Sequence, residues 1–143
     1  MSPSPLSLPT DLPAKLLKQA PGQFECVFVN CELHNTPGGM TASADFFALT
    51  RKLFGGYVRN QITLDLESVR AMSALGERLM SEHSTEHLTV DVVIEKSRAV
   101  HAFLDLEQLP RLKGGDDFYA RKHEQYIQAF PVLRHAPARG GRA

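Results

Sequence analysis

Leu88, Val90, Val92 and Ile94 alternate with Thr89, Asp91, Val93 and Glu95, and after the polar run Lys96–Arg98 a second alternating stretch reaches Leu106. A period of two with one short polar interruption predicts a β-hairpin. A three-residue loop puts Glu95 opposite Ala99, then pairs Ile94 with Val100, Val92 with Ala102, Val90 with Leu104 and Leu88 with Leu106. Every pair after the first is apolar. A two-residue loop would set Asp105 against Leu88 instead. Sliding a strand by one residue sends each side chain to the other face, so burial selects the three-residue loop. The inward face is then Leu88, Val90, Val92, Ile94, Val100, Ala102, Leu104 and Leu106. The opposite face carries Thr89, Asp91, Val93 and Glu95 beside Ala99, His101, Phe103 and Asp105.

The period changes elsewhere. Leu66, Val69, Met72, Leu75 and Leu79 recur at spacings of three and four, which predicts an amphipathic helix of about 17 residues starting at Asp65. Met72 and Met80 read as core filler on it. A shorter stripe of Leu12, Leu16, Leu17 and Ala20 predicts a first helix, capped by Thr10 or Asp11, with Pro13 tolerated in its first turn. In "QFECVFVNCEL" both alternating sets are apolar, as in a strand covered on both sides. Residues 42–54 fit a helical stripe (Ala42, Phe46, Leu49, Leu53) and also a strand. The short turn before them favours a strand hairpinned to its predecessor. "GGYVRNQITL" reads as a third strand. Asp116 or Asp117 caps a last helix whose stripe is Tyr119, His123, Tyr126, Ile127 and Phe130, ended by Pro131.

Together these elements predict an α+β fold: a single antiparallel sheet of about five strands, helices packed mainly on one face, in the order α-β-β-β-α-β-β-α. Residues 1–10, rich in proline and serine, are expected to be disordered. Residues 11–131 form one α+β domain, and 132–143 a flexible basic tail.

At 143 residues, the chain buries roughly two thirds of its unfolded surface and needs no metal or disulfide to fold. Its net charge is +0, which argues against nucleic-acid binding driven by counterion release. Arg134, Arg139 and Arg142 lie in the tail, leaving the body acidic and suited to a basic partner. No run approaches the ~20 apolar residues of a membrane span. The first residues lack the basic and apolar regions of a signal peptide, so the expected location is cytoplasmic. Cys26 and Cys31 are an odd number apart on one strand, hence on opposite faces, and read as reduced core residues.

The histidines are the first place to look for chemistry. His83 and His87 have the spacing of two ligands on one helical face, but they straddle the helix end and lack a third ligand. His123 reads as a packed residue of the last helix. His101 shares its face with Asp91 and Asp105, and a nearby carboxylate can tune an imidazole for proton transfer. No nucleophile or orienting third group accompanies it. No phosphate-binding glycine loop or nucleophile elbow occurs, and "GGDD" at 114–117 would repel phosphate. The expectation is a non-enzymatic binding protein without metal or cofactor. Its partner is another protein, and it acts as monomer or homodimer. The partner-binding residues are Asp91, Val93, Glu95, His101, Phe103 and Asp105.

The run "VVIEKSRAVHAFLDLEQLP" followed by an aromatic helix resembles YezG-type bacterial immunity proteins. The similar positions are Val92–Ile94, Lys96–Arg98, Phe103, Asp105, Leu109, Tyr119, Tyr126 and Phe130, with residues 12–33 similar to that family's first helix and strand. Unlike many of its members, this chain has no tryptophan. The resemblance implies a cytoplasmic protein that binds and neutralises one cognate toxin. The element order is also similar to that of type III secretion chaperones, which implies an adaptor for an effector segment. A small enzyme using His101 and an Asp as acid and base is the third reading.

Overall fold

The computed structural model describes residues 4–55 and 57–106. The expected last helix and the basic tail, 132–143, lie outside these residues. The described elements are β1 (Ser4–Leu6), α1 (Leu12–Leu17), β2 (Cys26–Thr36), β3 (Gly39–Arg51), β4 (Tyr57–Ile62), α2 (Leu66–His83), β5 (His87–Glu95) and β6 (Val100–Asp105). All neighbouring strands are antiparallel, in the order β1-β6-β5-β2-β3-β4. The α+β class stands. Among the described residues the sheet has six strands rather than about five, because Ser4–Leu6, inside the segment expected to be disordered, pairs with Leu104–Ala102 of β6.

The hairpin register follows from burial. Ile94 faces Val100, Val92 faces Ala102 and Val90 faces Leu104. The loop closes with Glu95 N–H donating to Ala99 O at 2.9 Å and Arg98 N–H to Glu95 O at 2.8 Å. Arg98 supplies the left-handed residue of this loop at φ 77°, as three-residue hairpins require. Residues 42–54 resolve largely as strand: β3 pairs with β2 from Thr36–Gly39 down to Cys26–Leu49 across a two-residue loop.

Both described helices cover one face. Leu12 and Leu16 of α1 and Met72, Leu75, Leu79 and Met80 of α2 join Val27, Val29, Cys31, Leu33, Val90, Val92 and Ile94 in one core. Asp65 caps α2 by accepting from Ser68 N–H at 2.8 Å. Ser84, left-handed at φ 50°, ends it. The stripe differs from expectation at its start. Leu66 is 63% exposed and Val69 37%, while Ser68 is buried and accepts from the Gln19 amide at 2.9 Å. Asp11 stands at the N-cap of α1 without capping it, its carboxylate being engaged by Lys15 Nζ at 2.6 Å. Among the described residues no helix is long and apolar enough to cross a membrane.

Candidate functional site

The sheet's second face, away from α1 and α2, is set by the even-numbered residues of β2. Register places Phe28 beside Phe47 and Val93, Asn30 beside Asp45 and Asp91, and Glu32 beside Ser43 and Thr89. Through β5, His101 joins the first row, Phe103 the second and Asp105 the third. All six residues singled out from the sequence therefore share one face of the β5–β6 hairpin.

They do not share one environment. Asp91 and Val93 are 0% exposed and Asp105 5%. Glu95, His101 and Phe103 are half-buried and reach solvent. The buried members belong to a polar interior. Asn30 Nδ2 donates to Asp91 Oδ1 at 2.5 Å. Asp45 takes the Gln61 amide at 2.8 Å and the Arg59 guanidinium at 3.3 Å. Arg59 also lies 4.6 Å over the Phe47 ring, and the Phe47 and Phe28 rings are 5.5 Å apart.

The half-buried members form the outer end of the face. His101 Nε2 lies 2.5 Å from Glu95 Oε2. This contact is diagonal, since His101 is opposite Val93 and Glu95 is two residues further along β5. Asp91 and Asp105, the carboxylates that the sequence placed on the face of His101, lie on that face as well. The diagonal neighbour was available from the register itself, because pairs at j±2 lie within reach of long side chains. Around this pair the loop is anchored: Lys96 Nζ meets Glu25 at 3.3 Å and the Arg98 guanidinium lies 4.6 Å over Phe24. Val100, at 38% exposed, adds an apolar patch on the other side of the strand.

Cys26 and Cys31 are both buried thiols outside any disulfide, on opposite faces as their spacing required. Burial, with the Glu95 carboxylate adding to it, pushes the Cys26 thiol up to about 12. His87 contacts His34 edge-on, ring centroids 6.1 Å apart. Among the described residues no group of three or more His, Cys, Asp or Glu is arranged to hold a metal ion. Comparison of the chain with protein-family models, curated proteins and solved structures finds no match.

Proposed function

We propose that the chain is a small protein-binding module that neutralises a cognate bacterial toxin, acting as an immunity protein in the cytoplasm. One observation carries the reading. The β5–β6 hairpin brings an acid, an imidazole and an aromatic ring to one half-exposed patch, Glu95, His101 and Phe103. Protein interfaces use this combination: an aromatic anchor supplies contact area, and charges beside it steer encounter and reject wrong partners. Asp91, Val93 and Asp105 belong to the same site as its buried part, beside the patch on the same face of the hairpin. The acidic body adds attraction for a basic toxin surface. The resemblance of the hairpin run to YezG-type proteins points the same way.

The test is growth rescue. The chain is co-expressed with each toxin domain that a neighbouring gene is found to encode, and complex formation is checked with purified proteins. The parent chain should restore growth. Glu95→Lys and Phe103→Ala should lose rescue and complex while keeping the parent circular dichroism spectrum. Rescue that survives both substitutions removes the hairpin from the interface. Failure to neutralise any neighbouring toxin removes the function.

A further inference from the structure

Among the described residues, nothing covers part of the β3 edge, which lies next to an apolar recess on the helical side of the sheet and away from the hairpin patch. β4 pairs with β3 only from Arg51 to Phe46. Beyond Ile62 the chain leaves the sheet to enter α2, and on the side of β3 away from β2 no described strand lies beside Gly39–Asp45. The direction of the free groups follows from the ladder. Asn35 N–H donates to Glu86 O at 2.8 Å on the β5 side, so odd residues of β2 bond β5 and even residues bond β3. The partners of those even residues are the odd residues of β3. Met40, Ala42 and Ala44 therefore point their N–H and C=O groups outward. Ala42 and Ala44 are exposed and Met40 half-buried.

Edges of this kind are normally blunted by charge, proline or a covering element. From Gly39 to Ala44 there is neither charge nor proline. The side chains of Ala42 and Ala44 are also too short to reach α2, which sits close over β2 because Gly76 abuts Leu33. The result is an open recess of about 250 Å³ whose walls include Ala42, Ala44, Leu64, Val69 and Met72. A cavity of about 150 Å³ already holds a benzene ring, so the recess accepts a Phe or Leu side chain.

We propose that this edge binds an extended segment of a partner protein, which adds as a strand beside Met40–Ala44 and seats one large apolar side chain in the recess. The free backbone groups dictate an extended backbone, and the recess dictates an apolar residue on the helical side. The surface is separate from the Glu95–His101 patch, and the proposal does not depend on the partner being a toxin.

The probe is a fluorescein-labelled heptapeptide of alternating threonine and leucine, titrated against the full chain and followed by fluorescence anisotropy. Saturable binding is expected. Methylating the peptide nitrogens that face the edge should abolish it. Ala42→Pro removes an outward N–H without touching the β2 ladder, a position where strands tolerate proline. It should weaken binding about tenfold or more, as losing a hydrogen bond and its register would. Val69→Asp should do the same by charging the recess wall, while Glu95→Lys should leave peptide affinity unchanged. Circular dichroism verifies that each variant is folded. The proposal is overturned by absence of saturable binding or by binding indifferent to Ala42→Pro and to peptide methylation. It is equally overturned by a dimer in sedimentation that Ala42→Pro dissociates, since the edge would then belong to a second copy.

Discussion

Gly76 sits inside α2, where glycine is the wrong residue for helix stability and the right one for packing. Alanine is favoured over glycine in a helix interior by about 1 kcal/mol, so Gly76→Ala would stabilise an unconstrained helix. Here a methyl group at that position would lie 2.5 Å from Leu33 Cδ1, 3.5 Å from its Cγ and 3.7 Å from its Cβ. All three nearest atoms belong to one side chain, and that side chain is 0% exposed. Leu33 can yield only by leaving its rotamer or by pushing α2 off the sheet, and overpacking of this kind costs about 1–3 kcal/mol. Overpacking therefore outweighs helix propensity. Gly76→Ala should destabilise the protein by about 1 kcal/mol net, the difference of the two effects.

The double-mutant cycle with Leu33→Ala isolates the cause. Leu33→Ala alone should cost about 2–5 kcal/mol as a buried cavity. It also removes Cγ and Cδ1 and leaves only the 3.7 Å contact, which is ordinary van der Waals distance. In that background Gly76→Ala should turn stabilising by about 1 kcal/mol. Urea denaturation of the four proteins by far-ultraviolet circular dichroism, with equal m values, gives the coupling directly. If Gly76→Ala stabilises the parent and the two changes add within about 0.5 kcal/mol, close approach of α2 to β2 is not what glycine provides.

Three further outcomes are expected. Phe28→Ala, at 0% exposure on the second face, should cost about 3–5 kcal/mol in the same urea assay, and a cost below about 1 kcal/mol would mean that face is not packed. The Asp65 carboxyl is held below its ordinary value of 3.8 by the Ser68 backbone N–H it accepts. Its folded pKa is depressed, so its contribution is present above the unfolded value and lost as pH falls through the folded one. Asp65→Ala should lower the urea midpoint at neutral pH and shrink that gap below about pH 4; an unchanged gap across the titration would contradict the cap. Cys26 and Cys31 are 1% and 2% exposed, so a disulfide-exchange reagent at pH 8 should find no reactive thiol in the native protein and two in denaturant, and rapid reaction in the native state would contradict the burial.

The hairpin was legible because one physical demand determined it: only the three-residue loop buries Val90, Val92, Leu104 and Ala102 together. β3 was legible from its neighbour, since β2 needed a partner and the two-residue loop left room for nothing else. β1 was not. Its pairing with β6 is made by backbone groups of Ser4–Leu6, and a proline-containing three-residue strand shows no alternation to read. The buried stripe of α2 departs from the expected one at its first turn because periodicity fits several neighbouring stripes equally. The Gln19–Ser68 hydrogen bond at 2.9 Å, which helps bury Ser68, joins residues 49 apart in sequence. Alternation did put the six site residues on one face. It assigns residues to faces but does not tell how deeply each is covered, so the division between buried Asp91, Val93, Asp105 and half-exposed Glu95, His101, Phe103 was not available from it.

The two faces of the sheet do different physical work. The helical side of β2 and β5 is apolar from Val27 to Leu33 and from Leu88 to Ile94, and a strand slipped by two residues would present nearly the same surface, often valine replacing valine. The second face is where such a slip is punished. Asn30 bonds Asp91 across β2 and β5 at 2.5 Å, and Gln61 bonds Asp45 across β4 and β3 at 2.8 Å. Moving β5 by two residues would put Thr89 beside Asn30 and Asp91 beside Phe28, or Val93 beside Asn30 and Asp91 beside Glu32, leaving a buried acid beside a ring or beside another acid. Burying a charge without its hydrogen-bonding partner is among the costliest changes a core can suffer. The aliphatic face therefore supplies most of the driving force for folding, and the polar rows select the register. That register is also what sets His101 diagonal to Glu95 with Phe103 two residues on, so the same buried polar residues that specify the sheet hold the shape of the patch proposed to meet a partner.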